Sequence, residues 1–272
     1  MKKIKKRRSF RRFFRLIGTL LLICFLSFLL KGSSSLFSPQ DTANVNENPL
    51  ANEQTSSTEN KTDSMLSRMK RIIFLKRAVR AHINCENYTP IDKIPKEMQY
   101  AIVAVEDRKF YTHYGFDLDG IARASLVNFQ HGKIEEGAST ITQQLVKNLF
   151  LSHKQSFGRK AEELILALDM EVNYSKDEIL ELYLNTIYYG SNFYGIGNAS
   201  KGYFGKKPSE LALPEEAMLA GLPNAPSLYS PYVDFIMAKK RQFVVLDAMV
   251  SAGYIDNAMA EDAKIKPITL KN

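Results

Sequence analysis

An uncharged run from Leu16 to Leu30, directly behind a tail dense in lysine and arginine, most limits how this chain can be arranged. Phe13 and Phe14 extend the apolar segment past Arg15 to 18 residues. That is the short end of the roughly 17–25 residues a membrane-spanning helix needs, and Arg15 can snorkel to the interface. A cleaved signal peptide competes, with an apolar core of about 7–15 residues. The basic tail is long for that, and no small-x-small site closes the run, so residues 13–30 read as an uncleaved anchor. Cys24 sits inside the run behind Ile23, which does not read as a lipidation site. Basic residues stay on the cytoplasmic side, so the rest of the chain is expected outside.

The anchor explains the charge. The 272 residues carry 37 Lys and Arg against 29 Asp and Glu, a formal net charge of +8. Nine of the basic residues fall within residues 1–15, so everything after Arg15 sums to −1. A nearly neutral domain is a poor nucleic-acid binder. Hydrophobic residues make up 45% of the chain, enough for a core and against wholesale disorder. With Cys24 in the anchor and Cys85 beyond it, no internal disulfide is expected and stability must come from the core.

The organisation reads as a basic tail over 1–12, the anchor over 13–30, a polar flexible linker over 31–63, a membrane-proximal segment over 64–84 and a domain over 85–272. Within 64–80, apolar and basic residues mix (Met69, Lys70, Arg71, Ile72, Ile73, Phe74, Arg77, Arg80). Two readings stay open there: a first domain helix with a solvated face, or docking onto anionic lipid headgroups. Beyond residue 90 the pattern is mostly helical, without sustained strand alternation. Met98 to Val105 reads as an apolar helix running into Glu106. Thr140 with Gln143 and Ser175 with Glu178 have capping-box spacing. Gly190 reads as a helix stop, and Pro214 opens a helix through Ala220 that Gly221 ends.

Chemistry concentrates in three places. Glu106 follows five apolar residues, so burial is expected to raise its pKa, which suits a general base. Alone, an adjoining Glu106-Asp107 pair reads more readily as a solvated helix end than as a catalytic site. In Gly137-Ala138-Ser139-Thr140-Ile141-Thr142-Gln143-Gln144-Leu145-Val146-Lys147-Asn148, a helix would place Gln143, Gln144 and Lys147 on one face. Such a face could bind a hydroxyl-rich anionic ligand; spacing alone favours a solvated polar face. Arg159-Lys160 near Glu162-Glu163 puts two cations at a helix start, against the macrodipole, at a typical cost of about 0.3–1 kcal/mol each. Local stability explains them poorly, whereas an anionic ligand would explain them.

Taken together, Glu106-Asp107-x-x-Phe110-x-x-His113-x-Gly115, Gly137-x-Ser139-Thr140-Ile141-Thr142-Gln143-Gln144-x-x-Lys147-Asn148 and Arg159-Lys160-x-x-Glu163 resemble the first three motifs of the peptidoglycan glycosyltransferases, glycosyltransferase family 51. Tyr183-Leu184-Asn185-x-Ile187-Tyr188-Tyr189-Gly190 resembles the fourth, and Glu216-Ala217-Met218-Leu219-Ala220-Gly221-Leu222-Pro223 the fifth. The resemblance implies a mainly α, lysozyme-like domain with a smaller membrane-facing lobe, preceded by one transmembrane helix. It implies polymerisation of lipid II into β-1,4-linked strands by inverting transfer, with Glu106 as general base. Glu163 would orient groups around the reacting sugar or pyrophosphate. Lys147, Arg159 and Lys160 would stabilise the departing pyrophosphate, and Asp107, Ser139, Gln143 and Gln144 are further substrate-binding candidates.

The implied partners are lipid II, the growing glycan strand, the bacterial cytoplasmic membrane, and cell-wall synthesis or division proteins. No metal ligand is assigned, and a divalent cation such as Mg2+ or Mn2+ is a candidate cofactor that these residues neither require nor exclude. One departure is Gln155, where family members usually carry a base; it implies weaker donor binding. No Ser-x-x-Lys tetrad falls within 85–272, so a monofunctional form is expected. Competing readings are a lytic enzyme on the same fold, which would want a proton donor for a sugar leaving group, and an inactive scaffold.

Overall fold

The computed structural model describes residues 71–83, 87–123, 139–151 and 157–271. The tail, the anchor, the linker, Gly137, Ala138, Lys154 and Gln155 lie outside the described residues, as does most of the membrane-proximal segment's first half. Among the described residues, no helix is long and apolar enough to cross a membrane, and the only strand-like feature is an isolated antiparallel bridge between Tyr188 and Tyr194. The domain is mainly helical, as expected.

Ten described helices carry the fold: α1 Leu75–His82, α2 Lys96–Glu106, α3 Ile141–Phe150, α4 Phe157–Asn173, α5 Lys176–Thr186, α6 Ile196–Phe204, α7 Leu213–Gly221, α8 Pro226–Tyr229, α9 Phe235–Ser251 and α10 Asn257–Ile265. In α1, Leu75 and Val79 are buried while Lys76, Arg77 and Arg80 are exposed, the pattern of a domain helix with a solvated face. α2 follows Pro95 and buries Met98, Ala101, Ile102, Val103 and Ala104 before ending at Glu106. An apolar helix thus delivers a carboxylate at its C-terminal end.

Both expected capping boxes are present. Thr140 accepts the Gln143 N–H, and the Gln143 side chain accepts the Thr140 N–H at the start of α3. Ser175 and Glu178 repeat the exchange before α5. Each box satisfies two backbone donors that a helix start otherwise leaves open.

One expected helix stop is corrected, and the other, Gly221, does end its helix, though without a left-handed turn. α5 ends at Thr186, and Gly190 lies beyond it in the turn that forms the Tyr188–Tyr194 bridge, at φ +85°. Its role is close approach: a Cβ there would come within 2.6 Å of the Pro226 carbonyl oxygen. Gly221 is the last residue of α7 but keeps a right-handed φ of −77°, and the chain continues into a 3-10 turn over Leu222–Asn224. Tight packing accounts for the glycine, since a Cβ would meet Arg241 Cγ at 2.8 Å.

α7 and α9 pack on α2 and on each other, with α10 against α9; α3, α4 and α5 form a second packed group, and α1 rests on α4. One continuous buried cluster runs through both groups. Met98, Ile102, Leu145, Leu166 and Leu180 are essentially inaccessible, and each such burial stabilises by about 1.5–3 kcal/mol. Asn185 ties α5 to the segment before α2: its Oδ1 accepts the Thr89 N–H at 2.8 Å and its Nδ2 donates to the Thr89 carbonyl at 2.8 Å.

Candidate active site

Glu106 and Gln144 meet where the two helix groups adjoin. The Gln144 Nε2 donates to Glu106 Oε2 at 2.8 Å. Glu106 Oε1 is enclosed and has no hydrogen-bond partner among the described residues. Burial pushes the Glu106 pKa up, as its apolar neighbours implied, and Asp107 adds to the rise. The Gln144 hydrogen bond and the charges of Arg241 and Lys147 pull in the opposite direction. A carboxylate with raised basicity and one oxygen left over is equipped to take a proton.

Asp107 is committed inside the protein. Its carboxylate accepts from His113 Nε2 at 2.8 and 3.0 Å and from the Ile141 N–H at 3.0 Å. The latter contact places a negative charge at the N-terminus of α3, where the helix dipole favours it. Both Asp107 oxygens are thus engaged by protein donors, one of them the first N–H of α3.

Gln143 and Gln144 diverge although adjacent. Gln143 is 1% exposed; its Oε1 accepts the Thr140 N–H at 3.0 Å and its Nε2 donates to Glu163 Oε1 at 3.3 Å. The solvated polar face suggested by spacing is thus corrected: within α3 only Lys147 and Asn148 are exposed, Gln144 is half-buried and Gln143 is turned inward. Capping geometry dictates this, because the third helical residue must fold its side chain back over the helix start. Ser139 is exposed just ahead of the cap.

Glu163 is 2% exposed on α4. Lys160, one turn earlier, donates to its Oε1, so a local ion pair supplies part of the reason for a cation that the sequence left unexplained. Lys160 itself remains exposed and Arg159 is half-buried. The structure brings Glu106, Asp107, Gln143, Gln144 and Glu163 into one chain of contacts running from α2 through α3 to α4.

Two contributors were missed from sequence. Tyr183 on α5 donates to Gln144 Oε1 at 3.0 Å. Arg241 on α9 exerts its charge on Glu106 while its Nε donates to the Gly221 carbonyl at 3.3 Å. Tyr183 stood inside a recognised motif, a signal that could have found it; Arg241 had no such mark. Among the described residues, no group of three or more His, Cys, Asp or Glu side chains is gathered to hold a metal ion.

Known proteins match this sequence. A penicillin-binding protein 1A of Aquifex aeolicus is 47% identical over 184 residues, covering 68% of this chain and 25% of that protein. Penicillin-binding protein 4 of Bacillus subtilis is 44% identical over 181 residues, covering 66% of this chain and 29% of that protein. A protein of Cupriavidus necator named as a transglycosylase is 42% identical over 194 residues, covering 71% of this chain and 84% of that protein. The chain thus spans about a quarter of the length of the penicillin-binding proteins it matches, but most of the Cupriavidus protein. The family model described as Transglycosylase matches residues 76–250, which include every residue of the site. With that match, and the site it encloses, the chain belongs to the transglycosylase family, glycosyltransferase family 51.

Proposed function

We propose that this chain is a peptidoglycan glycosyltransferase that polymerises lipid II into β-1,4-linked glycan strands, releasing undecaprenyl pyrophosphate. The observation that carries the reading is the enclosed Glu106 carboxylate: Gln144 holds one oxygen at 2.8 Å and the other is left without a partner. Glu106 Oε1 would take the proton of the acceptor's 4-hydroxyl as that oxygen attacks the donor's anomeric carbon. The bond to the lipid pyrophosphate breaks on the opposite face, inverting the centre, and the pyrophosphate leaves with the electron pair. A pyrophosphate needs charge stabilisation more than a proton, and preorganised cations supply it.

Lys147, Lys160 and Arg159 are the proposed cations, with Ser139 at the rim as a hydrogen-bonding group. Glu163, gripped by Gln143 and Lys160, would set the position of the Lys160 ammonium. Asp107 would act through α3 rather than on substrate. The proposed setting is a lysozyme-like domain with a smaller membrane-facing lobe, held outside the bacterial cytoplasmic membrane by the anchor over 13–30, alongside other cell-wall synthesis proteins. Mg2+ or Mn2+, where required, would accompany the pyrophosphate.

A raised carboxylate also suits a general acid, so a lytic reading has an observation behind it. The cations favour transfer, because a sugar leaving group gives them nothing to stabilise. Purified full-length protein in detergent with lipid II, with and without Mg2+ or Mn2+, decides between the two. Lengthening glycan chains are expected, abolished in Glu106→Gln. No polymer from folded protein under any metal condition, or cleavage of preformed strands instead, would overturn the proposal.

A further inference from the structure

A buried phenol stands behind the Glu106–Gln144 pair. Tyr183 is fully enclosed, and its hydroxyl meets Gln144 Oε1 at 3.0 Å. Burial, with the nearby charge of Glu106, holds its pKa well above the usual phenol range, so it remains a neutral O–H donor. An ionised carboxylate can only accept hydrogen bonds, a carboxamide has one accepting and one donating end, and a phenol can serve as donor. Only one orientation of Gln144 satisfies all three groups. The reversed amide would set its carbonyl against ionised Glu106 and leave the Tyr183 O–H without an acceptor.

We infer that Tyr183 is a positioning residue for the base: its hydroxyl locks the Gln144 amide with the NH2 group toward Glu106 Oε2, leaving Oε1 as the oxygen that receives the proton. The relay runs Tyr183 O–H to Gln144 carbonyl, and Gln144 N–H to Glu106 carboxylate, over side chains 39 and 38 residues apart in sequence. Each link polarises the next, so a donor at the buried end strengthens the hydrogen bond that favours ionised Glu106. This rests on the reading of Glu106 as general base.

The readout is the Glu106 carboxyl itself, followed by 13C NMR across pH in the full-length protein in detergent micelles, its signal identified by its loss in Glu106→Gln. Tyr183→Phe is expected to raise the Glu106 pKa by about 0.5–1 unit, roughly a three- to tenfold gain in proton affinity. The acid limb of the polymerisation rate should move by the same amount. A role confined to packing would lower the rate evenly and leave the limb in place. Site-specific replacement of Tyr183 by a fluorinated tyrosine, a stronger donor of nearly the same shape, should shift the titration the opposite way, and it serves if the Phe variant fails to fold. Gln144→Leu should shift at least as far upward as Tyr183→Phe, and the double variant no further. Titration curves that superimpose on wild type in folded protein, or additive shifts in the double variant, would overturn the relay. A wild type that makes no polymer would sink the proposed function alone, since the carboxyl titration is read without turnover.

Discussion

The Asp107 carboxylate accepts the Ile141 main-chain N–H at 3.0 Å, so the residue beside the proposed base also fixes the first turn of the helix that carries Gln144 and Lys147. Asp107→Asn keeps the shape but weakens a charge-assisted bond and the His113 contact. Buried groups of this kind cost about 1–3 kcal/mol when a partner is spoiled. Denaturant unfolding should show a loss of that order, together with slower polymerisation at unchanged donor KM. Full stability in the Asn variant would show that α3 is held by other means.

Lys147 is exposed on α3, and its charge lowers the Glu106 pKa. Lys147→Met should therefore do two things at once. Loss of one electrostatic stabiliser of the leaving group should reduce kcat/KM by roughly two orders of magnitude, and the acid limb of the pH profile should move upward. A rate loss without movement of the limb would separate Lys147 from the base.

Glu106 carries an opposing stability cost. A carboxyl whose folded pKa lies above its unfolded value of 4.5 holds its proton more tightly when folded. Its effect on stability therefore declines as pH rises from the unfolded value through the folded one. Glu106→Gln should cost on the order of 10²–10⁴-fold in rate while raising the melting temperature at pH 7 by about 2–5 °C. Unchanged or reduced thermal stability would mean that the carboxylate is better satisfied than the free Oε1 indicates.

Glu216 on α7 gives a second pH dependence. It is 2% exposed, its Oε2 lacks a partner among the described residues, and burial with the charges of Glu97 and Glu215 pushes its pKa to about 8. The same sign applies: stability should fall between about pH 4.5 and pH 8 and level off beyond. The loss is bounded at about 5 kcal/mol. Chemical denaturation of Glu216→Gln across that range should show a flatter profile than wild type; parallel profiles would assign the pH dependence to other groups.

Much of this was legible in the chain itself. Local rules reach three or four residues, and within that range they succeeded: Thr140 with Gln143, Ser175 with Glu178, and the apolar helix that buries Glu106. Resemblance then singled out Glu106, Gln143, Gln144 and Glu163, which the structure joins through hydrogen bonds. Neither source showed that Gln143 and Gln144, neighbours in sequence, part company, because one obeys the helix cap and the other a carboxylate on α2. Arg241 was invisible for a related reason: nothing near it in sequence marks a cation whose effect depends on α9 packing against α2. Gly190 misled as a helix stop, since it answers to close approach by a distant segment, the Pro226 carbonyl.

Gln143 closes the helix start at Thr140 and holds Glu163 at the same time. One side chain thereby couples the geometry of the second motif to that of the third, and a substitution there should disturb both together. A screen that scores only loss of wall synthesis would place Gln143 among the residues of the chemistry, although its contacts make it a joint between two helices. Exchanging these motifs singly between relatives should fail more often than exchanging them as a pair.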